Sequence, residues 1–146
     1  MLRKNEIPAF IYSSPAVRTQ QTAEILRDAF GLDKYLIDAS IAPRMSINGL
    51  VRQLAADDLV MRPLIVTHGE CIDVGLKALS VDGMGDDKAK NQVMPTAMGE
   101  LRIIRIRRSD TTDWREHRRV LPSDFGFGDY YSTNGPIGDN TGKIKS

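Results

Sequence analysis

The sequence contains a single cysteine, Cys71, and so cannot form an internal disulfide. It lacks an apolar run approaching the roughly 20 residues of a membrane-spanning helix, and its start, MLRKNEIPAF, lacks the hydrophobic stretch of a signal peptide. Positive and negative charges nearly balance, because 20 basic and 19 acidic residues give a net charge of +1. The chain therefore has no overall electrostatic field that would attract nucleic acid or an anionic membrane. These absences predict a cytoplasmic protein that binds neither nucleic acid nor membrane.

The chain is long enough for one domain. With 146 residues, 41% of them hydrophobic, it can bury a core but is too short for two ordinary domains. Residues 1–122 carry the apolar patterns and are interpreted as the domain. Residues 123–146 are rich in Gly, Asn, Ser and Thr with no apolar period, and are predicted to form a flexible C-terminal tail.

Short apolar runs alternate with helical patterns along residues 9–108. Strands are predicted at 9–12, 35–38, 62–66 and 99–108, and helices at 15–30, at 47–59 (with Leu50, Leu54 and Leu59 on one face) and after Gly69. This order predicts an α/β fold of three layers, with a mostly parallel sheet flanked by helices. The basic stretch 105–119 is interpreted as an edge strand, a turn and a polar surface, because acidic residues interrupt its charge.

The segment IYSSPAVRTQQTAEIL (11–26) places Arg18 in the first turn of a predicted helix. Ser14 is a favoured N-cap, Pro15 suits the first helical position, and Gly31 provides the C-terminal stop. A cation in the first turn is disfavoured by some tenths of a kcal/mol. A docked anion would make the free energy of this arrangement favourable, since free N–H groups and the planar guanidinium would both bind the anion. The alternative is a solvated arginine tolerated at small cost.

The segment LIVTHGE (64–70) places His68 and Gly69 just past the carboxyl end of a predicted strand. Ligands of open parallel sheets collect at this edge, and glycine lets a ligand approach the backbone closely. Alone, His68 would more often be a hydrogen-bonded structural histidine. Together with Arg18, it makes a second candidate anion-binding side chain at the same sheet edge.

These motifs resemble a known family. The run YSSPAVRTQQTA (12–23) is similar to the second signature of the histidine phosphatase superfamily, also called phosphoglycerate mutase-like, in which Ser-Pro precedes an Arg and then Gln-Thr-Ala. The run LIVTHGE resembles the family's later strand with its His-Gly pair, and MPTAMGELRIIRIRR (94–108) fits the strand that follows. The resemblance covers residues 7–120 and is greatest to the eukaryotic branch that includes ubiquitin-associated and SH3-containing phosphatases.

The resemblance implies phosphoryl transfer without a metal or other cofactor, on a phosphorylated small molecule or a phosphoprotein whose identity the sequence does not specify. In the family, a first histidine in an Arg-His-Gly motif attacks phosphorus, while arginines and a second histidine clamp the oxygens. By position, Arg18 and His68 are the candidate catalytic residues. The candidate phosphate-binding set is Ser14, Arg18, His68 and Gly69.

Two catalytic groups of the family are unaccounted for in this sequence. No histidine precedes Ser14, and the other histidine, His117, follows the last predicted strand without a Gly neighbour. The general acid expected after the second strand has only Asp38 as a candidate, with Pro43 and Arg44 nearer the expected place. The missing first strand is central in the family's sheet, so unpaired backbone is expected on two neighbouring strands. The simplest interpretation is a fragment, or a shortened gene model, of a longer histidine phosphatase.

Three hypotheses therefore stay open. The chain is the C-terminal portion of a phosphatase, or it binds phosphate or a phosphorylated partner without hydrolysis. As the third hypothesis, it is an interaction module whose exposed sheet edge recruits a strand from a partner, including a second copy of itself.

Overall fold

A computed structural model describes residues 2–84 and 95–121 of the chain, and the predicted tail at 123–146 lies outside these residues. The fold is α/β, with five strands and three α-helices among the described residues. The strands are β1 (Phe10–Ser13), β2 (Leu36–Ile37), β3 (Pro63–Val66), β4 (Leu101–Arg107) and β5 (Asp110–Val120). The helices are α1 (Val17–Ala29), α2 (Asn48–Ala55) and α3 (Gly69–Met84), and two short 3-10 helices span Lys4–Glu6 and Ala39–Ile41.

Three strands form a parallel sheet in the order β2-β1-β3, which confirms the predicted parallel pairing for this part of the chain. The register pairs Ser13 with Ile37 on one side and with Val66 on the other. The central strand β1 is therefore hydrogen-bonded along both edges. The expectation of unpaired backbone between neighbouring strands is wrong at β1, because β1 and β3 pair directly. Within the described residues, the unpaired edges of this sheet are the outer sides of β2 and β3.

The last two strands form a separate antiparallel hairpin rather than part of the parallel sheet. Opposite residues include Arg105 with Arg115 and Ile106 with Trp114. The sequence interpretation missed β5, which occupies most of the stretch assigned to a turn and a polar surface. The reason is that β5 carries few apolar residues. Charged side chains fill several of its positions, and they are paired with partners on other segments.

Apolar side chains pack on both faces of the parallel sheet. On one face, Ile11 and Val66 pack against Ala23 of α1. On the other face lies the larger cluster, which joins α2, α3 and the inner side of the hairpin. Its buried members are Ile41, Ile47, Leu50, Val51, Leu54, Val60, Cys71, Leu76 and Leu79. The sheet is thus covered on both sides, as the three-layer interpretation expects.

Two predicted details of the helices are wrong. Helix α1 begins at Val17 with Ala16 as its N-cap, so Ser14 is not the cap. Leu59 is 85% exposed, because α2 ends at Ala55 before the apolar spacing reaches it.

The predicted stop of α1 at Gly31 is confirmed. Its φ of 68° is left-handed, and the N–H groups of Gly31 and Leu32 donate to the carbonyl oxygens of Asp28 (3.2 Å) and Arg27 (2.9 Å). This paired arrangement satisfies carbonyl groups at the end of the helix.

Candidate functional site

The pairing of β1 with β3 brings Ser14 and His68 together. The backbone N–H of Ser14 donates to the carbonyl oxygen of Val66 at 2.9 Å, which extends the β1–β3 ladder past the strand ends. The segments that follow β1 and β3 then leave the sheet at its carboxyl edge, and the Ser14 Oγ lies 3.1 Å from the His68 Nε2. Two residues that are 54 positions apart in the sequence therefore share one edge of the sheet, as the parallel topology predicts.

Arg18 lies in the first turn of α1, and its side chain is exposed to solvent. The guanidinium makes no hydrogen bond or ion pair with any residue that the structure describes. Its charge nevertheless acts on His68, since it lowers the pKa of the imidazole. The structure thus brings Arg18 and His68 within electrostatic range, with the guanidinium available for a ligand.

The pKa of His68 lies below its ordinary value of 6.5, chiefly because the ring is partly buried. The positive charge of Arg18 is the second cause, and the carboxylate of Glu70 acts in the opposite direction. Burial and a nearby cation both disfavour the imidazolium form. Both effects favour the neutral imidazole, which has one ring nitrogen as a donor and the other as an acceptor.

Free backbone N–H groups surround this edge. In α1, the N–H groups of Val17, Arg18 and Thr19 make no hydrogen bond with another described residue. In α3, N–H groups that follow Glu70 donate to the His68 carbonyl oxygen. The N–H groups of Gly69 and Glu70 have no partner among the described residues. Helix N-termini carry partial positive charge, so both helices favour an anion here.

Gly69 has a packing reason to be glycine. A Cβ at this position would lie 3.2 Å from the Thr96 carbonyl oxygen. The Thr96 backbone is held in place by Asp73, whose carboxylate accepts from the Thr96 N–H at 3.0 Å and from its hydroxyl at 2.7 Å. Sequence analysis missed this loop, because nothing in the sequence links Asp73 to a residue 23 positions later.

The candidates for the missing catalytic groups lie in structural roles. Asp38 accepts from the backbone N–H and the hydroxyl of Ser40, and so caps the short 3-10 helix. His117 lies in β5, where its Nε2 is 3.3 Å from a carboxylate oxygen of Glu6. The prediction that His117 follows the last strand is wrong, because β5 was missed. Pro43 and Arg44 lie between the second 3-10 helix and α2, where Arg44 has a left-handed φ of 71°.

Within residues 2–84 and 95–121, no group of three or more His, Cys, Asp or Glu side chains could hold a metal ion. The same residues form no helix whose length and hydropathy would let it cross a membrane. The groups that the structure places at this edge are a planar cation, an imidazole and free amides. These groups suit a tetrahedral oxyanion, because each donates hydrogen bonds and the guanidinium adds charge.

Comparison with known proteins adds no relative. No protein family, curated protein or solved structure matches the chain.

Proposed function

We propose that the chain is a histidine phosphatase-like domain whose sheet edge binds the phosphoryl group of a phosphomonoester. Arg18 supplies the charge, His68 donates a hydrogen bond, and the free N–H groups at the starts of α1 and α3 bind the remaining oxygens. The phosphorylated ligand is either a small molecule or a phosphoprotein. The motif resemblance supports the family, and the geometry of the edge supports the ligand class.

One observation carries this proposal. The Arg18 guanidinium lies at the positive end of α1, where the helix dipole repels it, and has no anionic partner among the described residues. An exposed arginine is not costly in itself. Combined with His68 and free amides of a second helix, however, it supports an anion-binding site at this edge of the sheet.

For the sequence as it stands, the proposed activity is binding without turnover. An Arg-His-Gly motif that could supply the attacking histidine is not among the 146 residues. The His68 Nε2 is already engaged by Ser14, and His117 lies beside Glu6. If another segment supplied the nucleophile, Arg18 and His68 would stabilise the charge of the transition state instead.

The test is calorimetric titration with inorganic phosphate and with phenyl phosphate. Arg18→Ala should weaken binding by about tenfold or more, since a hydrogen bond to a charged group contributes about 1.5–3 kcal/mol. Arg27→Ala is the matched control, because it removes a guanidinium from the other end of the same helix and should leave the affinity unchanged.

Two results would contradict the proposal. The first is no phosphate binding by the folded wild-type protein, and the second is an equal loss of affinity in both variants. Release of p-nitrophenol from p-nitrophenyl phosphate at a rate that Arg18→Ala abolishes would show turnover and correct the proposal toward an enzyme.

The outer edge of β2 favours a second candidate function. Its two residues, Leu36 and Ile37, are 42% and 54% exposed, and within the described residues β2 pairs only with β1. An unpaired strand with exposed apolar side chains is a template for another strand. We therefore propose self-association along β2 as the alternative. Leu36→Lys should abolish any dimer seen by sedimentation, whereas a monomer at all concentrations would reject this candidate.

A further inference from the structure

We propose that Ser14 is a positioning residue that holds His68 in the tautomer protonated at Nδ1. This tautomer leaves Nε2 as an acceptor toward Ser14 and makes Nδ1–H the donor that His68 offers to a ligand. The assignment of the tautomer stands on the hydrogen bonds of Ser14 alone. Only its consequence for a phosphate oxygen rests on the proposed function.

Nearly every polar group of Ser14 has a partner. Its N–H donates to the Val66 carbonyl at 2.9 Å, and its carbonyl accepts from the hydroxyls of Ser13 at 2.8 Å and Thr19 at 2.9 Å. Its Oγ accepts from the backbone N–H of Ala16 at 3.3 Å. The residue is 0% exposed, so bulk water cannot complete the set. One group remains to be assigned, which is the hydroxyl hydrogen.

The hydroxyl hydrogen of Ser14 has one acceptor within reach among the described residues, the His68 Nε2 at 3.1 Å. If Nε2 carried its own hydrogen, the ring would donate to Ser14 and the hydroxyl hydrogen would be buried without an acceptor. A buried unsatisfied donor costs the free energy of desolvating it. With Nε2 unprotonated, every donor of Ser14 is satisfied. The burial of Ser14 thus selects the tautomer of His68.

A chain of hydrogen bonds, each donated in the same direction, runs along the edge of the sheet. The Ala16 N–H donates to the Ser14 Oγ, the Ser14 hydroxyl donates to the His68 Nε2, and the Nδ1–H of the ring is the next donor in line. Protonating Nε2 would break this order, since the ring would then donate to the Ser14 Oγ and the hydroxyl hydrogen would have no acceptor. Ser14 therefore favours a neutral His68, so that Arg18 supplies the positive charge of the site and His68 a neutral donor.

The decisive measurement is the tautomer of His68 in the wild-type protein without phosphate. Long-range ¹H–¹⁵N correlation spectra distinguish the two tautomers, and the chain has only 2 histidines. The signals that disappear in His68→Gln belong to His68. At a pH where the ring is neutral, we expect the Nδ1–H form to exceed the Nε2–H form by about tenfold, the ratio that one unsatisfied buried donor would impose. A predominant Nε2–H form would overturn the inference.

A matched pair of variants separates positioning from structure. Ser14→Ala and Ser13→Ala each remove one hydroxyl from a fully buried serine, but only Ser14 contacts the imidazole. We expect Ser14→Ala to raise the Nε2–H fraction, and Ser13→Ala to retain the wild-type tautomer. An unchanged tautomer in Ser14→Ala would contradict the inference. If Ser14→Ala failed to fold, the wild-type spectrum would still decide.

The phosphate titration then tells the two proposals apart. Ser14→Ala should weaken binding of inorganic phosphate several-fold, whereas Ser13→Ala should not. If phosphate fails to bind while His68 is protonated at Nδ1, the proposed function fails and the role of Ser14 stands. If phosphate binds while His68 is protonated at Nε2, the proposed function stands and the role of Ser14 is wrong.

Discussion

Several arginines of the β4–β5 hairpin and Arg18 of α1 are used in opposite ways. On the hairpin, several guanidinium groups are paired with carboxylates. The pairs are Arg102 with Glu116, Arg107 with Asp113, Arg118 with Glu6 and Arg119 with Glu100. Arg18 has no such pair among the described residues. The difference shows that a nearly balanced net charge conceals both structural cations and one that is available for a ligand.

The comparison is closest between Arg18, at the N-terminal end of α1, and Arg108, which contacts the C-terminal end of α2. Arg108 donates to carbonyl oxygens after α2, among them that of Asp57 at 2.8 Å and that of Val60. The C-terminal end of a helix is partially negative, so a cation there is favourable. Arg18 lies at the partially positive end of α1. The same side chain is therefore satisfied by the backbone at one site and is left exposed to solvent at the other.

The largest expected effect comes from removing the buried guanidinium of Arg102 in the hairpin. The Arg102 side chain is 4% exposed, donates to both carboxylate oxygens of Glu116 at 3.1 and 2.7 Å, and lies 3.4 Å from Asp73. Arg102→Ala should lower the free energy of unfolding by about 2–3 kcal/mol, because it removes the charge-assisted hydrogen bonds that a buried guanidinium makes to two partly exposed carboxylates. Urea denaturation measures this loss. Arg107→Ala removes an exposed partner of Asp113 and should change the midpoint little. Equal losses would refute the distinction between a buried and an exposed guanidinium.

An intermediate effect, with a change of sign, is expected at the two helix ends. Arg108→Ala should destabilise the fold by about 1–2 kcal/mol, since it removes hydrogen bonds to several carbonyls. Arg18→Ala should instead leave stability unchanged or raise it by some tenths of a kcal/mol, since it removes a cation from a positive helix end. Thermal unfolding in phosphate-free buffer compares the two variants. A clear loss of stability in Arg18→Ala would mean that the guanidinium has a structural partner after all.

The smallest expected effect is on the titration of His68. Because Arg18 lowers the pKa of His68, Arg18→Ala should raise that pKa toward the ordinary value of 6.5, and an NMR titration of the ring measures the change. The sign for stability follows: a lowered pKa in the folded state means that the unfolded chain binds more protons, so stability falls as pH drops through about 6.5. That loss should be smaller in Arg18→Ala. An unchanged pKa would show that the two side chains are farther apart than the structure indicates.

Much of the fold could be predicted because its signals are local. The apolar runs before Ser14 and before His68 specify strands, and Gly31 ends α1 because its left-handed backbone favours glycine. The placement of Arg18 and His68 at one edge also followed from the alternation of strands and helices. These features depend on the spacing of neighbouring residues, which a sequence displays directly.

Other features depend on partners that are distant in the sequence. The strand β5 was missed because Glu116 and Arg119 fill positions where an apolar residue would signal a strand, and their partners lie on other segments. Ser14 was interpreted as a helix cap, because its residue type favours that role. Its actual partner, His68, became visible only when β1 and β3 were paired.

The sequence by itself determined the α/β class, the main parallel strands, and the presence of a cation in the first turn of α1, since backbone geometry and hydrophobic spacing are local properties. Tertiary structure alone decided that β1 and β3 are adjacent, that Ser14 faces His68, and that several arginines of the hairpin are paired while Arg18 is not. The physical reason is that hydrogen bonds and ion pairs depend on distances of about 3 Å between side chains, and these distances exist only after the chain is folded.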